Sequence, residues 1–108
     1  MFELSKGVAA ELWVSLASLL RSYTAVHGLS NKRQATVEHN EERISVRYSQ
    51  CSLDLLRQGA IVTWKREDGR AGTLELTEAG TMRSGAGEEE MDMAAERWAR
   101  ELMRESQQ

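Results

Sequence analysis

Apolar residues in the first quarter of the chain recur with helical spacing. Ala9, Leu12, Leu16, Leu19, Tyr23 and Val26 are separated by alternating steps of three and four, and Phe2 falls one heptad before Ala9. The pattern predicts an amphipathic helix over residues 3–27, with Gly28 supplying the left-handed residue that commonly ends one. Trp13, Val14, Ala17 and Leu20 widen the stripe beyond a narrow seam, so the helix is expected to bury two sides. One side would pack on the chain's own sheet. The other, drawing on Leu12, Trp13, Leu16, Leu20 and Tyr23, would contact a second copy and make a homodimer.

Beyond a polar loop over residues 29–34 the period changes to two. Ile44, Val46 and Tyr48 alternate with Arg43, Ser45 and Arg47, as in a half-buried strand, and Val37 sits in a shorter candidate strand before an Asn40-Glu41-Glu42 turn. Residues 60–64 are β-branched and aromatic and lead to Asp68-Gly69, the best hairpin signal in the chain. The return strand covers residues 72–77, with Leu74 and Leu76 on one face. Residues 49–58 fit two elements. Cys51, Leu53 and Leu55 alternate as in a strand, whereas Ser49 could cap a short helix that Gly59 ends; the hairpin spacing of the flanks favours the strand. Residues 80–87, with Gly80, Gly85 and Gly87, read as a loop. A last helix is predicted over residues 88–105, with Met91, Ala95, Trp98 and Leu102 on one face. Glu88, Glu89, Glu90 and Asp92 suit the positive end of its dipole, and Glu96 with Arg100 and Arg97 with Glu101 form i,i+4 pairs. The expected fold class is α+β: an antiparallel meander of four or five strands packed against N- and C-terminal helices.

Composition narrows the class further. The chain's 108 residues suit one domain, residues 1–108, and 41% hydrophobic with 29% charged residues is an ordinary globular mixture. One cysteine, Cys51, allows no internal disulfide and fits a reducing compartment. The apolar run over residues 12–20 is shorter than the roughly 20 residues of a membrane span, and no secretory signal precedes it, so a cytoplasmic protein with no membrane contact is expected. From Ala86 onward three arginines face six glutamates and one aspartate, a net of −4. The preceding chain therefore carries +1 of the total −3, and a locally basic hairpin remains compatible with nucleic acid.

No residue set points to catalysis. Glu89, Asp92 and Glu96 could share a helix face, but a carboxylate-bridged metal pair wants a Glu-x-x-His on each of two helices, and neither His27 nor His39 has that context. Cys51 with His39 would need the fold to bring them together. Gly80 and Gly85 have the spacing that opens a phosphate loop, without the Lys-Ser/Thr that finishes one. No metal, cofactor or catalytic residue is expected. The basic residues allow another reading: Lys65, Arg66 and Arg70 surround the Asp-Gly hairpin and could touch phosphates if it were a wing. Residues 53–62, then Glu67-Asp68-Gly69-Arg70 and residues 74–80, resemble the recognition-helix end and wing of winged-helix repressors of the multiple-antibiotic-resistance type. The resemblance covers about a quarter of the chain and implies a DNA-binding transcriptional regulator. The leading expectation is a non-enzymatic intracellular domain that binds a partner protein or a small apolar ligand as a homodimer, motivated by many large apolar residues without a convergent polar constellation.

Overall fold

The computed structural model describes residues 6–28 and 35–105. In chain order they form α1 (Lys6–His27), β1 (Thr36–His39), β2 (Arg43–Tyr48), β3 (Cys51–Gln58), β4 (Ile61–Arg66), β5 (Ala71–Leu76), β6 (Thr81–Ser84), β7 (Gly87–Glu90) and α2 (Met91–Glu105). The strands make one antiparallel sheet whose spatial order is the chain order, so the α+β meander holds, with seven strands in place of four or five. The ambiguous segment over residues 49–58 is strand β3, which leaves no recognition helix at the position the winged-helix resemblance implies. Residues 3–5 of the predicted first helix and the loop over residues 29–34 lie outside the described residues.

The two additional strands stand where a loop and the first turn of the last helix were expected. Their origin is a turn the sequence uses twice. In the β4–β5 connection Gly69 N–H donates to Arg66 O at 3.1 Å, Arg66 N–H donates to Arg70 O at 2.8 Å, and Gly69 has φ 94°. Eleven residues later Gly80 N–H donates to Thr77 O at 3.1 Å, Thr77 N–H donates to Thr81 O at 3.0 Å, and Gly80 has φ 80°. Both turns read x-Glu-x-Gly, with glycine in the left-handed position such hairpins require. The second one folds β6 back onto β5, and β7 follows by pairing with β6 from Thr81 opposite Glu90 to Ser84 opposite Gly87. Glu88, Glu89 and Glu90 therefore belong to a strand, and only Asp92 supplies an acid to the first turn of α2.

Register sorts the side chains onto two faces. Ile44, Val46 and Tyr48 lie opposite Leu55, Leu53 and Cys51, and all six are buried. Val62, Leu76 and Met82 continue the covered face, with Trp64 and Leu74 half-buried against it. The helices close this face with Trp13, Leu16, Ala17 and Leu20 from α1 and Met91, Ala94, Ala95, Trp98 and Leu102 from α2. Each fully buried aliphatic side chain contributes about 1.5–3 kcal/mol before the entropy of ordering it is subtracted.

The buried stripe of α1 is rotated from the expected one. Ala9, Trp13, Leu16, Ala17, Leu20 and Thr24 face inward, Leu12, Leu19 and Tyr23 are half-buried, and Val26 is exposed. Ala17 is small enough for close packing. Thr24 is tolerated inside because its hydroxyl donates to Leu20 O, 2.7 Å away in its own helix. Tyr23 meets Asp92 and His27 meets Glu96, so contacts advance in the same direction along both helices, which run parallel. None of the described helices is long and apolar enough to cross a membrane.

Candidate functional site

Three segments far apart in the chain meet at one end of the sheet. Trp13 on α1 donates its indole N–H to Asn40 O at 2.8 Å. Asn40 in turn shapes the β1–β2 turn: its Oδ1 accepts the N–H groups of Glu42 and Arg43 at 2.9 and 2.8 Å, and its own N–H donates to Arg43 O. Arg57, near the end of β3, donates Nε–H and an Nη2 proton to Glu41 O at 3.1 and 2.8 Å and an Nη1 proton to Gly59 O at 3.1 Å. Its guanidinium also lies 5.8 Å from the centre of the Trp13 ring, where a cation is attracted by the aromatic face. The backbone completes the tie, since Arg57 N–H donates to Glu42 O at 2.7 Å.

This knot leaves an open cleft of about 830 Å³ beside it. Ala10 and Val14 form its helical wall, His39 to Glu42 its turn wall, and Arg57 to Gly59 its far end. Val14 keeps 53% of its surface exposed, an apolar strip that no described element covers. The turn carbonyls point toward Trp13 and Arg57, which leaves the exposed side chains of Glu41 and Glu42 at the rim. His39 is engaged at the edge of the site: an Arg21 Nη2 lies 3.0 Å from its Nδ1 and 3.4 Å from Val37 O. That contact also covers a carbonyl on the free edge of β1.

Of the residues expected at a dimer contact, Trp13, Leu16 and Leu20 are buried in the chain's own core, and Leu12 and Tyr23 pack half-buried beside them. Trp13, expected to face a partner, is 1% exposed. The acidic set does not converge. Glu89 on β7 pairs with Arg97, Asp92 accepts the Tyr23 hydroxyl, and Glu96 pairs with His27 and Arg100. Among the described residues no cluster of histidine, cysteine or carboxylate side chains has metal-binding geometry. Cys51 pairs with Tyr48, whereas His39 pairs with Ile44, four residues along β2 and therefore roughly 13 Å away. The hairpin cations diverge: Arg66 is buried, donating Nε–H to Ser52 O and pairing with Glu67, while Arg70 pairs with Asp68. Lys65 is exposed on the uncovered face of the sheet.

The uncovered face carries its own charge order. Asp54 lies between Arg43 at 3.0 Å and the Ser45 hydroxyl at 2.8 Å. Burial pushes its carboxyl up, but these hydrogen bonds and the charges of Arg43 and Arg47 together hold it below the ordinary carboxylate range. Asp68 is lowered first by the Arg70 N–H it accepts. The Tyr23 hydroxyl is raised, chiefly because it donates to Asp92. Sequence reasoning found the Asn40-Glu41-Glu42 turn but not its union with Trp13 and Arg57; Trp13 and Asn40 are 27 residues apart, and no local pattern joins them. Comparison of the chain with protein-family models, with curated proteins and with solved structures gives no match.

Proposed function

We propose that the chain is a non-enzymatic binding module that takes a segment of a partner protein in the cleft between α1 and the two turns. The observation that carries this reading is Val14, 53% exposed beside Ala10 and facing a polar turn wall. A peptide segment offers apolar side chains for the strip and N–H donors for the exposed Glu41 and Glu42 carboxylates of the turn. A small apolar ligand prefers an enclosed, mostly apolar pocket, and the large apolar residues that suggested one are packed against each other in the core. The module acts as a single copy in this reading, because three of the five residues expected to join two copies are core residues. An intracellular setting belongs to the same proposal, supported by a single cysteine that no second cysteine can bridge.

Titrating isotope-labelled chain with a short peptide of alternating leucine and serine, and separately with a long-chain alkyl alcohol, tests the reading. The peptide is expected to shift the amide resonances of Val14, Asn40 and Gly59. Shifts by the alcohol at Leu16, Leu53 and Leu102, with none by the peptide, would overturn it in favour of an internal apolar ligand.

A further inference from the structure

We infer that the partner segment is basic, with apolar side chains between its cationic ones; this rests on the cleft reading above and names the chemistry of its occupant. The argument is an imbalance in how the charges around the cleft are engaged. Three carboxylates, Glu11, Glu41 and Glu42, outnumber the two guanidinium groups there, Arg57 and Arg21, and the N–H donors of Arg57 are taken by the carbonyls of Glu41 and Gly59 beneath Trp13 while its charge remains. His39 is occupied by Arg21. The carboxylates of Glu41 and Glu42, by contrast, are exposed and make no ion pair with any described residue. Glu11, next to Ala10 in the chain, is exposed and equally unpaired among the described residues.

The Arg57 clamp is also what makes these carboxylates available. By holding the turn through its backbone carbonyls it fixes the backbone without consuming either side chain, so the rim presents negative charge on a held backbone beside an apolar strip. A lysine- or arginine-bearing segment with interspersed apolar residues complements both features at once. Rim charges of this kind favour encounter and register, and their contribution falls with salt.

Fluorescence anisotropy with three labelled peptides tests the inference: the same leucine spacing with lysine, serine or glutamate between. The lysine–leucine peptide is expected to bind tightest and to lose affinity with salt. The Glu41→Gln/Glu42→Gln double variant should weaken it about tenfold, a difference of about 1.4 kcal/mol. The Glu88→Gln/Glu90→Gln variant, the same charge change on β7, should leave it unaffected. If the β7 variant weakens it equally, the attraction is to net charge and the inference fails. If the serine–leucine peptide binds as well as the lysine one and Val14→Ser weakens both, the inference fails while the cleft reading stands. If Val14→Ser, a change at an exposed position, weakens no peptide, the cleft reading fails and the inference with it.

Discussion

An ideal Cβ on Gly72 would lie 2.5 Å from Nε1 of Trp64, its cross-strand neighbour, and 2.8 and 2.9 Å from two more atoms of the same ring. The indole lies over the glycine backbone, and its half-buried ring has Leu55 on the opposite strand, so it cannot simply move aside. Gly72→Ala is expected to cost about 1–3 kcal/mol in urea unfolding, as overpacking does. Gly85→Ala, at a site with open space around the missing Cβ, should be nearly neutral. Equal effects of the two changes would show that the Trp64 contact is not what restricts Gly72. Asp54 tests the electrostatics of the uncovered face. Its carboxyl is held low in the folded chain, so its stabilisation is complete above the unfolded carboxylate value of about 3.9 and disappears as pH falls through the folded value. Asp54→Asn should lower stability by about 0.5 kcal/mol at neutral pH, an amount reduced by partial solvation, and the difference from the parent should vanish in acid. A difference independent of pH would contradict this assignment.

Among the elements, those with internal periodicity were legible in the sequence and those held by their neighbours were not. Ile44, Val46 and Tyr48 announce β2 by alternation, and Asp68-Gly69 announces the hairpin between β4 and β5. β6 offers one buried apolar residue, Met82, and β7 is Gly-Glu-Glu-Glu with none. β7 exists because Gly80 turns the chain, β6 supplies a ladder and Arg97 of α2 takes Glu89. The signal available was the recurrence of the x-Glu-x-Gly turn, which glycine content alone made look like a loop. The glutamates of β7 also place charge on the last strand of the described sheet, and charge on an edge strand discourages pairing with other chains. Replacing Glu88 and Glu90 by valine is expected to produce concentration-dependent association in light scattering while the parent remains dispersed. A variant as dispersed as its parent would remove that role.

At the scale of the whole molecule, two parallel helices close one face of the meander and leave the other to solvent. α1 places three of the five residues that suggested a homodimer, Trp13, Leu16 and Leu20, in this core, and in the single-copy reading proposed above sedimentation at tens of micromolar should give the mass of one chain; a two-chain mass would contradict this. The candidate site was the least legible feature, because it is made by Trp13, Asn40 and Arg57 from three separate segments and by carbonyls whose direction no side-chain pattern encodes. The claim that this cleft is the working surface has a rival on the same molecule. Leu56 and Ile61, diagonal neighbours on the uncovered face of β3 and β4, are 53% and 41% exposed. Intermolecular nuclear Overhauser contacts from the leucine methyls of the lysine–leucine peptide distinguish the two most directly. Contacts to the Val14 methyls and the neighbouring Ala10 are expected, and contacts to Leu56 and Ile61 instead would contradict the account.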